Sequence, residues 1–247
     1  MFLIIKNIFK IHAFFYIVMF VAFITGNIRD FLIFTSIIIV HELGHIVAGV
    51  VFSWDVKQVI LLPFGGLTIF NNLINTSLFQ EFIVALMGPL FQIIFYLILN
   101  NLFVLPDRVV YYNFVLLIFN LLPIFPLDGS KFLYVFLCLF FPFRYGHLII
   151  IFVSFIFIFG ILFFLGHFDF LIFLIFLFLI FKVYSELRNH RFVFNKFLLE
   201  RYSYNLSFSR VKYVKSVNSM YLWCRHLFFV DNNYVSEANF LKKLFDK

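Results

Sequence analysis

"VHELGHIVAG", residues 40–49, lies inside a stretch that otherwise reads as a membrane span. It puts His41, Glu42 and His45 where a bilayer tolerates almost no polarity. The spacing H-E-x-x-H has a chemical meaning. Positions i and i+4 of a helix share a face, so both imidazoles can reach one zinc ion. Glu42, one residue along from the first ligand, can then face the attacking water as general base. With 7 His in the chain, composition alone gives roughly 0.004 such matches. The blander reading, three polar residues pairing with one another inside a bundle, is weaker. Ionisable groups inside a membrane are costly and mark function. Gly44 and Gly49 would let neighbouring helices approach closely.

The rest of the chain sets the context. Hydrophobic residues are 64% of it, 44 residues are Phe, and 13% are charged. Soluble domains average about 45–50% apolar and about 25% charged, so the composition is that of an integral membrane protein. Cys138 and Cys224 are far apart in unlike contexts and give no disulfide framework. The first apolar segment is too long for a signal peptide, has no small-residue cleavage site, and is expected to remain as a span.

Charges mark the ends of the apolar runs at 11–28, 31–54, 82–106 and 109–127, the last continuing past Asp128 and Lys131 to Phe143. Each is near the ~20 residues that cross a hydrocarbon core. Residues 145–181 would reach about 55 Å as one helix, so "LGHFD" at 165–169 is read as a break between two antiparallel spans. Between the second and third runs, "VKQVILLPFGGLTIF" (56–70) reads as two short strands around a turn. Non-helical backbone at membrane depth needs cover from protein or a water cavity. The expected fold class is therefore an all-α membrane protein of about six transmembrane helices. A re-entrant β-hairpin follows the second helix, and a small cytosolic C-terminal region closes the chain. The domains expected are 1–190 and 191–247.

Residues 1–181 hold seven Lys/Arg and seven Asp/Glu, whereas 182–247 hold twelve and five. Basic flanks stay cytoplasmic, which with six spans places both termini in the cytosol. The basic tail is read as topology and attraction to anionic lipid, not as a nucleic-acid surface, because no nucleic-acid motif accompanies it.

A catalytic zinc needs a third protein ligand and an open position. Of the acids, Asp30, Asp55, Glu81 and Asp107 bound the runs, Asp169 sits in the last turn, and five lie in the tail. Asp128 in "NLLPIFPLDGSK" (120–131) remains. Pro123 and Pro126 would break the helix there, and Gly129 frees the backbone just after the acid. His12, His147 and His167 are rival ligands, but they lie near span ends. Asn120 has two equal readings, helix–helix bonding or binding of freed backbone or substrate.

Taken in order, "HELGH", "PFGG", "MGPL" (87–90) and "NLLPIFPLDG" resemble the site-2 proteases, a family of intramembrane zinc metalloproteases. The resemblance covers roughly residues 10–190. "FSWDVKQVILLPFGG" and "FLLERY" (197–202) narrow it to the sporulation branch. It implies one Zn2+ held by His41, His45 and Asp128, with Glu42 as base. It implies a hairpin around Gly65 and Gly66 that offers an edge strand to substrate. In that branch the substrate is pro-sigma-K, in the mother-cell membrane around the forespore, and membrane partners hold the enzyme inactive; a homo-oligomer is also compatible. Two departures stand out. Gln92 occupies a position where family members often have Asn, and Ser130 one where they often have Gly. Relatives carry a C-terminal nucleotide-sensing domain of the CBS type. Residues 211–233 read as a shortened counterpart, to which no nucleotide is assigned. Two other classes of function fit the sequence less well. A zinc transporter should show more polar residues along other spans, and an inactive scaffold would have little reason to keep Glu42.

Overall fold

The computed structural model describes residues 9–71, 74–165, 170–204, 206–230 and 233–246. The element order is β1 (Phe9–Ile11), α1 (Ala13–Ile24), α2 (Ile28–Val51), β2 (Val56–Leu62), β3 (Gly65–Phe70), α3 (Leu78–Leu102), α4 (Asp107–Asn120), α5 (Asp128–Phe140), α6 (Phe143–Leu165) and α7 (Phe170–Ser203). The tail adds β4 (Val211–Val214), a 3-10 turn (Val217–Ser219), β5 (Arg225–Val230), β6 (Asn233–Ser236) and α8 (Glu237–Phe245). Among the described residues, three stretches are long and apolar enough to cross a membrane: α2, α3, and Phe143–Phe164 of α6. The turn at 166–169, with His167 and Asp169, lies outside the described residues.

The chain divides into two compact units. The first comprises Met1–Asn72 and Phe82–Leu122. In it, β2 and β3 pair antiparallel as the sequence suggested, from Leu62↔Gly65 to Val56↔Phe70. A strand the sequence did not reveal, β1, pairs parallel to β2 and makes a three-stranded sheet with β3 at one edge. Helix α2 packs closely on its neighbours through the two glycines. A Cβ on Gly44 would stand 2.2 Å from the Met87 carbonyl oxygen, and one on Gly49 would stand 2.3 Å from the Phe70 ring. Arg108 pairs with Asp30 at 2.8 Å and ties the start of α4 to the start of α2.

The second unit comprises Leu73–Glu81 and Pro123–Lys247. The run from 109 to Phe143 is broken where the prolines suggested, into two helices, α4 and α5, separated by the segment that carries Pro123 and Pro126. Proline lacks the N–H a helix interior needs and biases the preceding residue away from helix. The Phe125–Pro126 peptide is cis. Helix α7 continues without interruption past residue 190 to Ser203. The all-α expectation missed the tail sheet, where β4 and β5 are parallel and β5 and β6 antiparallel. Strands of four to six residues are too short for alternation to stand out against a basic tail. Both cysteines are free and buried.

A buried arginine organises this unit. Arg201 donates to Asn75 Oδ1 (2.7 Å), to the carbonyls of Tyr221, Leu222 and Cys224, and to Glu237 Oε1 (3.0 Å). Its guanidinium also lies over Phe208 at 4.4 Å. Glu237 Oε2 accepts from the His226 ring at Nδ1 (2.9 Å), and His226 Nε2 accepts the Tyr221 N–H (3.0 Å). His226 is therefore held neutral, and burial lowers its proton affinity against the pull of Glu237. An unfolded histidine binds its proton at higher pH, so the tail loses stability as pH falls below the ordinary value of 6.5. Amide exchange in 211–236 is expected to accelerate as pH drops through that value, after correction for intrinsic exchange; a flat corrected profile contradicts this. Arg201→Ala strands the buried Glu237 and should cost about 3–5 kcal/mol, read as a lower unfolding midpoint in detergent.

Candidate metal centre

Helix α2 brings His41 and His45 onto one face one turn apart, with their ring Nε2 atoms 3.2 Å from each other. Each ring is fixed by its other nitrogen. His45 Nδ1 donates to the Val84 carbonyl at 2.7 Å. His41 Nδ1 lies 2.9 Å from Gln92 Oε1. The Gln92 amide nitrogen donates in turn to the Asn113 carbonyl at 2.7 Å. Both Nδ1 atoms therefore carry the proton in the neutral rings, and both Nε2 atoms present lone pairs. Two such lone pairs pointed at one another call for a cation.

The dimensions suit zinc. Two imidazole nitrogens at about 2.0–2.1 Å from zinc in tetrahedral geometry stand about 3.3 Å apart. Gly88 has no side chain where the two rings come together. A Cβ on Gly88 would stand 2.3 Å from His45 Nε2 and 2.9 Å from His41 Nε2. His41, Glu42 and His45 are the one cluster among the described residues whose ligand atoms all lie within 4.8 Å, and all three are buried. The residues present fit a zinc site.

Glu42 projects from the neighbouring face of α2, onto β3. Its Oε2 accepts the Thr68 hydroxyl at 2.6 Å. A Cβ on Gly66 would stand 2.3–2.5 Å from the Glu42 Cγ, Cδ and Oε1. Gly66 thus has no side chain because the Glu42 carboxylate lies where one would be. Gly65 is more open, with Asn120 Oδ1 3.8 Å from its Cβ position. Asn120 closes α4, is buried, and its Nδ2 finds no acceptor among the described residues.

Asp128 belongs to the second unit. It opens α5, is 4% exposed, and has Lys131 Nζ 2.9 Å from Oδ1. The rival histidines have local roles. His12 caps α1 by accepting the Phe14 N–H, and His147 stands 3.2 Å from Glu186. Sequence reasoning did not single out Thr68, Asn113 or the cradle at Gly88. Gln92, noted there only as a departure from the more usual Asn, holds the His41 ring. The available signal was that Gln92 lies four residues after Gly88, on the same helix face.

Comparison with known proteins agrees with this geometry. Residues 30–107 match Peptidase family M50. Stage IV sporulation protein FB of Bacillus subtilis is 36% identical over 144 residues, covering 56% of this chain and 50% of that protein. A Synechocystis protein whose name describes a zinc metalloprotease is 33% identical over 118 residues, covering 44% of this chain and 31% of its own length. The chain spans half or less of the length of these relatives. The solved structure of the site-2 protease from Methanocaldococcus jannaschii superposes with a TM-score of 0.57 at 21% identity, over 72% of this chain and 89% of that one. The fold is shared with it. The resemblance read from the motifs is borne out, and the matched segment contains "HELGH", the hairpin and "MGPL".

Two substitutions test the centre. Gln92→Leu removes the acceptor that orients His41 and should weaken zinc binding 10–100-fold, measured by chelator competition. Gly88→Ala fills the cradle and is expected to abolish stoichiometric zinc uptake; retention of full zinc would refute the cradle.

Proposed function

We propose that this chain is an intramembrane zinc metallopeptidase of the site-2 type, and that its substrate is a sporulation pro-sigma factor, pro-sigma-K. The observation that carries the peptidase reading is the pair of Nε2 atoms 3.2 Å apart with the Glu42 carboxylate beside them. The match to Peptidase family M50 supports the reaction class. The likeness to stage IV sporulation protein FB supports the substrate.

His41, His45 and Asp128 hold the metal in this reading. Asp128 is suited to it because it is buried and opens α5 directly after the proline-broken segment. Zinc, when bound, supplies Lewis acidity that polarises the scissile carbonyl and acidifies the attacking water. Glu42 takes the water proton and returns it to the leaving amine. Strand β3 forms one edge of its sheet, so an extended substrate adds there as a further strand. Such pairing exposes a peptide bond that a helix would hide. Gly65 and Gly66 let that backbone come close, and the Asn120 amide is a donor for it.

The same reading makes the protein multi-pass, with about six spans, a re-entrant hairpin and both termini cytosolic. It would act in the mother-cell membrane around the forespore under membrane-bound regulators. Residues 191–247 are read as a shortened CBS-like module, supported by a parallel then antiparallel strand pair followed by a helix.

Co-expression with tagged pro-sigma-K tests the proposal. Glu42→Gln should keep zinc and abolish cleavage, and Asp128→Ala should lose both. Undiminished cleavage by Glu42→Gln would sink the mechanism. Cleavage of other membrane-associated pro-proteins, with pro-sigma-K untouched, would reassign the substrate and leave the peptidase standing.

A further inference from the structure

We infer that Thr68 is the positioning residue for the general base. The inference rests on the reading of Glu42 above. The Thr68 hydroxyl donates to Glu42 Oε2 at 2.6 Å, and both residues are buried. The contact spans 26 residues of sequence, so the fold, not local helix geometry, creates it.

The bond defines where the carboxylate points. A glutamate on a helix has three rotatable side-chain torsions, and an unrestrained carboxylate samples many rotamers. Two features of β3 remove that freedom. The bare backbone at Gly66 lies against the Glu42 Cγ, Cδ and Oε1, and would meet a Cβ there at 2.3–2.5 Å. Two residues on, Thr68 lies on the same face of the strand and holds Oε2. One oxygen is engaged by a neutral donor, and the other rests at the glycine wall.

The placement on β3 matters for the reaction. This strand is the open edge proposed to take the substrate, and it also clamps the base. Scissile bond and proton acceptor are thus referenced to one piece of backbone. Losing the hydroxyl should therefore slow chemistry and leave substrate pairing intact, since strand addition uses main-chain groups.

The test is a kinetic series on the purified, zinc-loaded full chain in detergent, with tagged pro-sigma-K as substrate. Thr68→Val keeps the shape and removes the hydroxyl. It is expected to lower kcat 10–100-fold with KM within about twofold, at unchanged zinc stoichiometry. Thr68→Ser restores the donor and should recover most of kcat. A second readout needs neither metal nor turnover. In the metal-free protein, the antisymmetric carboxylate stretch assigned to Glu42 by difference from Glu42→Gln should shift in Thr68→Val and return in Thr68→Ser. Wild-type kcat in Thr68→Val overturns the inference. So does a loss carried by KM, or a Thr68→Ser variant as slow as Thr68→Val. If Thr68→Val does not fold, an unshifted carboxylate band in Thr68→Ala overturns it equally. A wild-type protein that cleaves neither pro-sigma-K nor any other membrane-associated pro-protein faster than Glu42→Gln overturns the peptidase reading instead, while the carboxylate band still reads the Thr68 contact, so the two failures are distinguishable.

Discussion

Every polar atom that enters an apolar helix must find its partner inside the protein, and α2 carries three such side chains within five residues. The constraint sorts the helix by face. His41, Gly44 and His45 look toward α3, where the Val84 carbonyl, Gln92 and the bare backbone at Gly88 receive them. Glu42 and Gly49 look toward β3, where Gly66, Thr68 and Phe70 receive them. Leu43, Val47 and Val50 remain exposed on the outer side, as a lipid-facing stripe would be. The apolar stripe satisfies the bilayer while the two polar faces satisfy each other's neighbours.

The fit between α2 and β3 is a matter of two periods. Glu42 and Gly49 are seven residues apart, two helical turns, and rise about 10.5 Å. Gly66 and Phe70 are four residues apart on one face of a strand, about 13 Å. The two repeats nearly coincide, so one strand face lies along one helix face with a small residue where each approach is tightest. Gly66 gives way to the Glu42 side chain, and Gly49 gives way to the Phe70 ring. A residue with a Cβ at either position would push the strand off the helix and take Thr68 out of reach of the Glu42 carboxylate.

Much of this was legible beforehand. The H-E-x-x-H spacing gave the buried cluster of His41, Glu42 and His45 because chemistry fixes that spacing locally. The hairpin followed from Pro63, Gly65 and Gly66, and the broken fourth helix from Pro123 and Pro126, since these residues act on their own backbone. Contacts that depend on tertiary pairing were not legible. Thr68 reads as an ordinary strand threonine until the hairpin is laid on α2. Strands β1 and β4–β6 have no amphipathic pattern strong enough to show in three to six residues. Gln92 was visible as a departure, but its role depends on which way its amide points.

That orientation follows from a single backbone group. The Asn113 carbonyl can only accept, so the end of Gln92 that meets it at 2.7 Å must be the amide nitrogen. Its oxygen therefore faces His41. An amide oxygen can only accept as well, so His41 Nδ1 carries the proton and Nε2 does not. A carbonyl on α4 thereby determines the lone pair offered at the centre of α2, through one side chain of α3. Glutamine reaches one methylene further than the asparagine common at this position, and here that length bridges helix to helix. The same logic applies to His45 with one fewer link, since Val84 offers its carbonyl directly. The orientation of both rings is thus set by carbonyl groups on α3 and α4, so the two nitrogens that face one another inside an apolar bundle are placed by backbone the bundle itself holds.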